Sequence, residues 1–123
     1  MGAAVNAPTV SVIMSVYNGA ELAPAAIRCI LDQSFADFEL IAIDNGSFKD
    51  DTRAVLHAIA AKTGDPRLRV IDLDSNIGLA GALNHGIGLA RGRYIARQDH
   101  DDFSAPGRLE KQVRFLDDHP RCG

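Results

Sequence analysis

Several features that mark common protein classes are scarce or missing in this chain of 123 residues. The two cysteines, Cys29 and Cys122, are too few for a disulfide framework, and a reducing compartment fits their number. No apolar run reaches the length of a membrane-spanning helix, and the residues before Thr9 lack the pattern of a signal peptide. Thirteen basic and sixteen acidic residues give a net charge of −3, which argues against a nucleic-acid footprint. We therefore expect a cytoplasmic chain with no transmembrane segment and no nucleic-acid partner.

Two common nucleotide-binding motifs are also absent. The segment Tyr17-Asn18-Gly19-Ala20 follows the first strand-like run but does not supply the G-x-G-x-x-G dinucleotide fingerprint. No phosphate loop of the G-x-x-x-x-G-K-[ST] type occurs. No histidine or cysteine spacing indicates zinc, and the spacing assigns no catalytic partner to any serine. These absences exclude the best-defined phosphate-binding loops. The remaining candidates for binding a ligand are side chains with oxygen atoms, such as carboxylates.

Length and composition indicate one small globular domain. Hydrophobic residues make up 46% of the chain and charged residues 24%, a balance typical of folded soluble proteins. A chain of this length can bury one core but not two. We expect a flexible lead-in over residues 1–8 and a single domain over residues 9–123.

Strand-like and helix-like segments alternate along that domain. Runs of β-branched and apolar residues predict buried strands, and amphipathic stretches predict helices. The predicted strands cover residues 10–16, 38–43, 68–73 and 94–98. The predicted helices cover residues 21–33, 47–64, 79–90 and 106–118, and Ser47 with Asp50 resembles a capping box that starts the second of them. The order β-α-β-α-β-α-β-α predicts an α/β fold, a Rossmann-like three-layer α/β/α arrangement around a mainly parallel sheet of about four strands.

Polar and acidic residues follow every predicted strand. In a parallel sheet the loops after the strands gather along one edge, which is where ligands of such sheets bind. The densest loop, Asp99-His100-Asp101-Asp102, places three carboxylates in four residues. Carboxylates held so closely repel one another, and their oxygens suit a hard ion such as Mg²⁺ or Mn²⁺. Taken alone, the cluster favours a solvated acidic loop over a metal site, and a glycosidase-type carboxylate pair is a further interpretation.

Six blocks of sequence, in order, resemble the family 2 glycosyltransferases. The blocks lie at residues 10–18, 34–41, 44–47, 76–84, 92–97 and 108–112. The resemblance covers residues 8–120 and implies the GT-A fold, in which a nucleotide-diphosphate sugar binds over the parallel sheet. It identifies the chain as the donor-binding half of a truncated GT-A domain, with a UDP-sugar as the favoured donor.

The resemblance also implies roles for individual residues. Tyr17 would lie against the base, and Asp44 would reach the base or the ribose. Asp99-x-Asp101 matches the DxD motif of the family, in which the last aspartate holds a divalent ion (Mg²⁺ or Mn²⁺) on the diphosphate. The implied metal ligands are Asp99 and Asp101. The implied nucleotide-sugar-binding residues are Ser15, Tyr17, Asn18, Asp44, Asn45, Asn76, Gly78, Asn84, Asp99 and His100.

The chain departs from the family pattern in two ways. Asn45 stands where the family often has a second aspartate, which makes the preference for uracil less secure. Family members also continue well beyond this length and carry there the acceptor site and the general base of inverting transfer. We therefore expect no catalytic residue in this chain, no transfer to a sugar or glycan acceptor by the chain alone, and a homodimer formed through an uncovered sheet edge or apolar patch. In a longer protein the domain could be peripheral to the inner membrane.

Three other classes of protein compete with this interpretation. A receiver domain of a response regulator has similar length and alternation, but it would place an acidic pair after the first strand, where this chain has Ser15-Val16-Tyr17-Asn18. A phosphatase of the haloacid-dehalogenase type carries its D-x-D after the first strand, whereas here it follows the fourth. A nucleotide-binding module without catalysis is the third alternative.

Overall fold

The computed structural model describes residues 7–119, in which four strands alternate with four helices. The strands are Val10–Val16 (β1), Phe38–Asn45 (β2), Leu68–Leu73 (β3) and Tyr94–Arg97 (β4). The helices are Ala23–Leu31 (α1), Thr52–Thr63 (α2), Gly78–Leu89 (α3) and Arg108–Asp118 (α4). The predicted alternating α/β fold is confirmed. Most of the predicted lead-in lies outside the described residues.

All strand pairs are parallel, and the strand order is β3-β2-β1-β4. The chain moves outward from β1 to β3 and then returns to place β4 on the other side of β1. Such a reversal of strand order creates a crevice at the carboxyl ends of the two strands where it occurs, here β1 and β4, and ligands of open α/β sheets bind in such a crevice. The topology therefore singles out the loops after Val16 and Arg97.

Both faces of the sheet are covered, but unequally. Because side chains alternate along a strand, Val12 and Met14 point to one face and Ile13 to the other. The first face packs against α1, α2 and α4, and the second packs against α3. Every residue of β1 is buried, which explains its nearly continuous apolar sequence.

Helix α3 comes unusually close to the second face of the sheet. A Cβ added to Gly86 would lie 2.6 Å from Ile13 Cγ2 and 2.8 Å from Ile43 Cδ1. A Cβ added to Gly88, two residues further on, would meet nothing within 4 Å. Close packing thus accounts for the glycine at position 86, whereas nothing in the structure requires the one at position 88.

The helix starts differ from the sequence predictions. The expected capping box is wrong, because α2 begins at Thr52 and the side chain of its N-cap residue, Asp51, makes no capping hydrogen bond. Ser47 instead accepts a hydrogen bond from the Asn18 amide, and Asp50 accepts one from the Thr52 amide. Helices α1 and α4 each begin two residues later than expected. The predicted end of α2 is confirmed, since Gly64 takes the left-handed conformation at φ 59°.

A buried carboxylate fastens β4 to the rest of the sheet. Glu39, on β2, accepts hydrogen bonds from the Ser11 hydroxyl at 2.6 Å, the Arg91 amide at 2.7 Å and Arg69 Nη1 at 3.2 Å. Burial raises the pKa of Glu39, but these hydrogen bonds and the charge of Arg91 outweigh it, so that the pKa lies below its usual value. Ser11 Oγ also accepts the Gly92 amide at 2.8 Å. One carboxylate therefore joins three strands to the segment that leads into β4.

Strand β4 forms one edge of the described sheet, and Ile95 is 46% exposed there. Phe115, on α4, is exposed beside it. The expected open edge is thus present, and the homodimer remains a prediction. Among the described residues, no helix is both long enough and apolar enough to cross a membrane.

Candidate functional site

A cavity of about 350 Å³ lies at the carboxyl ends of the strands, in the crevice between β1 and β4. The two strands that border the crevice both contribute to it: β1 through Ser15 and Tyr17, and β4 through Arg97 and the acidic loop. The complete lining is Ser15, Tyr17, Asn45, Asn76, Leu79, Arg97, Asp99, His100 and Asp101. The structure thus brings together most of the residues that the sequence nominates, although they come from four separate segments.

Four nominated residues lie outside this lining, namely Asn18, Asp44, Gly78 and Asn84. Their nucleotide-binding roles remain predictions. Two lining residues, Leu79 and Arg97, are not among those that the sequence nominates. Arg97 stands two positions before Asp99. Its positive charge at the end of a predicted strand, directly before an acidic loop, is the sequence feature that could have nominated it.

Asn18 joins the loop after β1 to the loop after β2. Its amide donates to Ser47 Oγ at 2.9 Å, and its Oδ1 accepts the amides of Phe48 and Lys49, each at 3.1 Å. Asn18 has φ 49°, in the left-handed region that asparagine tolerates better than most residues. The loops hold Tyr17 near Phe48, with ring centroids 6.1 Å apart.

Asp44 is fully buried at the end of β2. Its Oδ1 accepts the Ser47 amide at 3.1 Å, and its Oδ2 accepts Arg53 Nε at 3.0 Å. The hydrogen bond to Asp44 is the largest of several effects that raise the pKa of Arg53. Arg53 also donates to the carbonyl of Leu73 at 2.7 Å. Both carboxylate oxygens of Asp44 are therefore already engaged by groups of the protein that shape the neighbouring loops.

Asn45 holds the loop that leads into α3. Its Oδ1 accepts the Ile77 amide at 3.0 Å, and its Nδ2 donates to the Gly78 carbonyl at 3.2 Å. Gly78 has φ 81°, and its amide donates to Asn76 Oδ1 at 2.8 Å. An aspartate at position 45 could accept from Ile77 but could not donate to Gly78. The amide at position 45 thus has a structural explanation, since it makes both hydrogen bonds.

The acidic loop gathers three carboxylates into one small volume. Asp99, Asp101 and Asp102 each offer an oxygen, and these oxygens lie within 4.8 Å of one another. Only hard oxygen donors are present, and all three side chains are at least partly exposed, so a divalent ion can reach them. The residues fit Mg²⁺ or Mn²⁺, with Asp102 as a third donor beside the two nominated ligands.

Gln98, which the sequence does not nominate, holds the acidic loop through hydrogen bonds to its backbone. Its side chain is buried, and Nε2 donates to the carbonyl oxygens of Asp102 at 2.7 Å and Asp99 at 3.3 Å. Its Oε1 accepts the hydroxyl of Ser104 at 2.6 Å and Arg108 Nη1 at 2.8 Å. Burial lowers the pKa of Arg108. The side-chain amide of Gln98 therefore holds both the first and the last residue of the acidic loop, Asp99 and Asp102.

Arg97 makes an ion pair with the first carboxylate of that loop. Its Nε lies 3.1 Å from Asp99 Oδ1, and its Nη2 lies 3.5 Å from Asp99 Oδ2. The lining of the strand-end cavity includes no other arginine and no lysine. The cavity therefore combines two acidic side chains with a single arginine.

A second cavity, of about 500 Å³, lies beside β4 and α4. Its lining is apolar and basic, with no carboxylate, and it shares only Arg97 with the strand-end cavity. It has neither the acidic loop nor Tyr17. Of these two cavities, the strand-end cavity is the one that offers carboxylate oxygens to a divalent cation.

Comparison with protein families and curated sequences gives a consistent result. The model of the family described as "Glycosyl transferase family 2" matches residues 11–123. The protein named "Putative glycosyltransferase EpsE" from Bacillus subtilis (strain 168) is 46% identical over 112 residues, which cover 91% of this chain and 40% of that protein. The chain thus spans about two fifths of the length of this relative.

Solved structures with a similar fold include a mannosyltransferase and a protein in complex with a nucleotide sugar. A mannosyltransferase from Pyrobaculum calidifontis, PcManGT, in complex with GDP-Man and Mn²⁺, superposes with a TM-score of 0.82 at 27% identity, over 89% of this chain and 32% of that one. S. aureus TarS 1–349 in complex with UDP-GlcNAc superposes with a TM-score of 0.80 at 25% identity, over 91% of this chain and 32% of that one. Both similarities identify the fold as that of the GT-A glycosyltransferases.

Proposed function

The chain belongs to glycosyl transferase family 2, and from this premise we propose that it forms the donor-binding half of a metal-dependent glycosyltransferase domain. One observation carries the proposal. The aromatic ring of Tyr17 and the carboxylates of Asp99 and Asp101 line the same cavity, between β1 and β4. An aromatic ring suits the base of a nucleoside diphosphate, and the carboxylate oxygens suit an ion on its phosphates.

The acidic loop would hold the diphosphate end of the donor. Two carboxylates line this side, and without a cation they would repel an anionic diphosphate. Asp99 and Asp101 would therefore hold Mg²⁺ or Mn²⁺, with Asp102 close enough to contribute. Such an ion, when bound, neutralises the charge that develops on the leaving nucleoside diphosphate. The Mn²⁺ in the PcManGT complex supports a divalent ion for this fold.

Other residues of the lining would hold the nucleoside. Tyr17 offers a flat apolar surface, and Ser15 and Asn76, in the same lining, offer hydrogen-bonding groups. Asn45 contributes through the loop that it holds in place. We favour a UDP-sugar, and the TarS complex with UDP-GlcNAc supports that choice. GDP-Man in PcManGT makes a GDP-sugar the natural comparison in any experiment.

Transfer itself would need more than this chain. Because the chain spans about two fifths of a related glycosyltransferase, we assign the acceptor site and the general base of inverting transfer to parts that it does not span. The chain alone would bind a donor and leave it intact. We also propose a cytoplasmic location, with peripheral contact to the inner membrane in a longer protein.

A thermal-shift series tests this function. The chain is heated with UDP, GDP or UMP, each with MnCl₂ and with EDTA. We expect UDP with Mn²⁺ to raise the melting temperature most, UMP to do so less because it lacks the second phosphate, and EDTA to remove the difference. Equal melting temperatures in all mixtures would contradict the proposal.

A further inference from the structure

Arg97 lies at the point where the sheet meets the acidic loop. It is the last residue of β4, and its side chain lines the strand-end cavity beside Asp99. Both guanidinium contacts go to the same carboxylate, at 3.1 Å and 3.5 Å. Asp99 is also one of the two residues that the proposed function assigns to the divalent ion. A single carboxylate thus has two competing positive partners.

The charge of the cavity gives Arg97 a second partner. A nucleoside diphosphate brings several negative charges into a lining that already carries Asp99 and Asp101. Arg97 is the one arginine of that lining, which contains no lysine. The planar guanidinium fork suits a phosphate as well as it suits a carboxylate. It cannot present the same donors to both at once.

The side chain of Arg97 is free to change partners. It is 53% exposed, and its polar contacts among the described residues are those with Asp99. The backbone of Arg97 is held independently, since its carbonyl accepts Arg108 Nη2 at 2.8 Å and its strand pairs with β1. A new rotamer of this side chain would therefore leave β4 undisturbed.

We propose that Arg97 is an exchangeable counter-ion, which neutralises Asp99 in the free chain and moves to the donor diphosphate when Asp99 takes a divalent cation. The inference rests on the proposed function. It adds Arg97, which lies outside the acidic motif, to the proposed donor site. In the free state the ion pair lowers the affinity of Asp99 for a cation. In the donor complex the same guanidinium supplies the positive charge that the protein itself contributes to the diphosphate.

This exchange predicts opposite effects of one substitution on two ligands. In Arg97→Gln, Asp99 loses its competitor, so MnCl₂ alone should bind roughly 2- to 5-fold more tightly. UDP measured at saturating Mn²⁺ should bind roughly 5- to 10-fold more weakly, because the phosphate loses a charge-assisted hydrogen bond. Isothermal titration calorimetry measures both constants. Water-proton relaxation provides a second readout of Mn²⁺ binding.

A matched control separates the contact from the change in net charge. Arg93 directly precedes β4, is exposed, and contacts Asp117 and Tyr94 away from the cavity. Arg93→Gln removes the same charge, and both constants should stay within about 1.5-fold of the wild-type values. Arg97→Lys keeps the charge but not the fork, and its affinity for UDP should fall between those of the wild type and Arg97→Gln.

The outcomes distinguish this inference from the proposed function. If the wild type binds neither UDP nor GDP in Mn²⁺, the proposed function fails. If the wild type binds UDP but Arg97→Gln matches Arg93→Gln for both ligands, the exchange is wrong. Weakening or tightening of both ligands together would also overturn it, since losing a positive charge that repels the cation and attracts the phosphate must shift the two affinities in opposite directions. Circular dichroism of each variant confirms that the fold is retained.

Discussion

Asn18 and Ser47 join two loops that follow different strands, with 2.9 Å between the Asn18 amide nitrogen and Ser47 Oγ. The Gly19 amide adds a second link, to Thr52 Oγ1, also at 2.9 Å. The loops after β1 and β2 therefore form one unit, and Tyr17 lies on it. The position of Tyr17, which lines the cavity, depends on these links.

Two substitutions of Asn18 separate its side chain from its backbone conformation. Asn18→Ala removes an acceptor for two amides and places alanine at positive φ, so the free energy of unfolding should fall by about 2–4 kcal/mol. Asn18→Gly loses the acceptor but tolerates the backbone, and we expect a loss of about 1–2 kcal/mol. Urea denaturation measures both. Equal losses would mean that the left-handed backbone at this position carries no strain.

The glycines of α3 provide a second matched pair. Gly86→Ala would push a methyl group against Ile13 and Ile43, and overpacking of this kind costs about 1–3 kcal/mol. Gly88→Ala meets open space and gains helix propensity, so it should stabilise the protein by about 0.5–1 kcal/mol. Thermal denaturation of the two variants should give shifts of opposite sign. Shifts of the same sign would show that Gly86 does not pack closely against the two isoleucines.

Asn45 should be needed for stability, unlike the exposed Asn84 of α3. Asn45→Ala leaves the Ile77 amide and the Gly78 carbonyl without their partner, at a cost of about 1–3 kcal/mol. Asn84→Ala should change the free energy of unfolding by no more than about 0.5 kcal/mol. Chemical denaturation tests the difference. A neutral Asn45→Ala would mean that these two hydrogen bonds do not explain the amide at position 45.

Glu39 should make stability depend on pH in the acid range. Its pKa is lower in the folded chain than the usual 4.5, so the folded state favours its ionised form. The stabilisation is complete above the unfolded pKa and is lost as the pH falls through the folded value. The difference in unfolding free energy between the wild type and Glu39→Gln should therefore be constant near neutral pH and shrink below 4.5.

The comparison with Glu39→Gln cancels other acidic groups. Asp65, for example, also has a lowered pKa, chiefly because Arg67 donates to it, and it is present in both proteins. A difference that stays constant into strong acid, or that grows, would mean that Glu39 is not held in its ionised form.

The sheet could be predicted well because its signal is local and strong. Strands buried on both faces are continuous apolar runs, and the predicted bounds of β1 and β3 match the structure. The gathering of the polar loops at the carboxyl ends of the strands follows from the parallel strand directions alone. Helix starts were harder, because polar residues near a helix start can bond to other loops, as Ser47 does with Asn18.

The partners of polar side chains could not be predicted, because they depend on strand order. Asn45 and Ile77 are 32 positions apart, and their contact exists because β2 lies beside β3. Arg97 reaches the same cavity as Ser15 because β4 returns to the side of β1. Gln98 supports the acidic loop through contacts with Ser104 and Arg108 that no local pattern indicates.

The donor site is tested most directly by the affinity for UDP, measured by calorimetry with and without Mn²⁺, in the wild type and in Asp101→Asn. Asp118→Asn serves as the control, since it removes an exposed charge on α4 away from the cavity. We expect Mn²⁺-dependent binding that Asp101→Asn weakens by roughly tenfold or more, about 1.4 kcal/mol, and that Asp118→Asn leaves unchanged. Binding of UDP that is equal in all three proteins, or equal with and without Mn²⁺, would contradict a donor site built on the acidic loop.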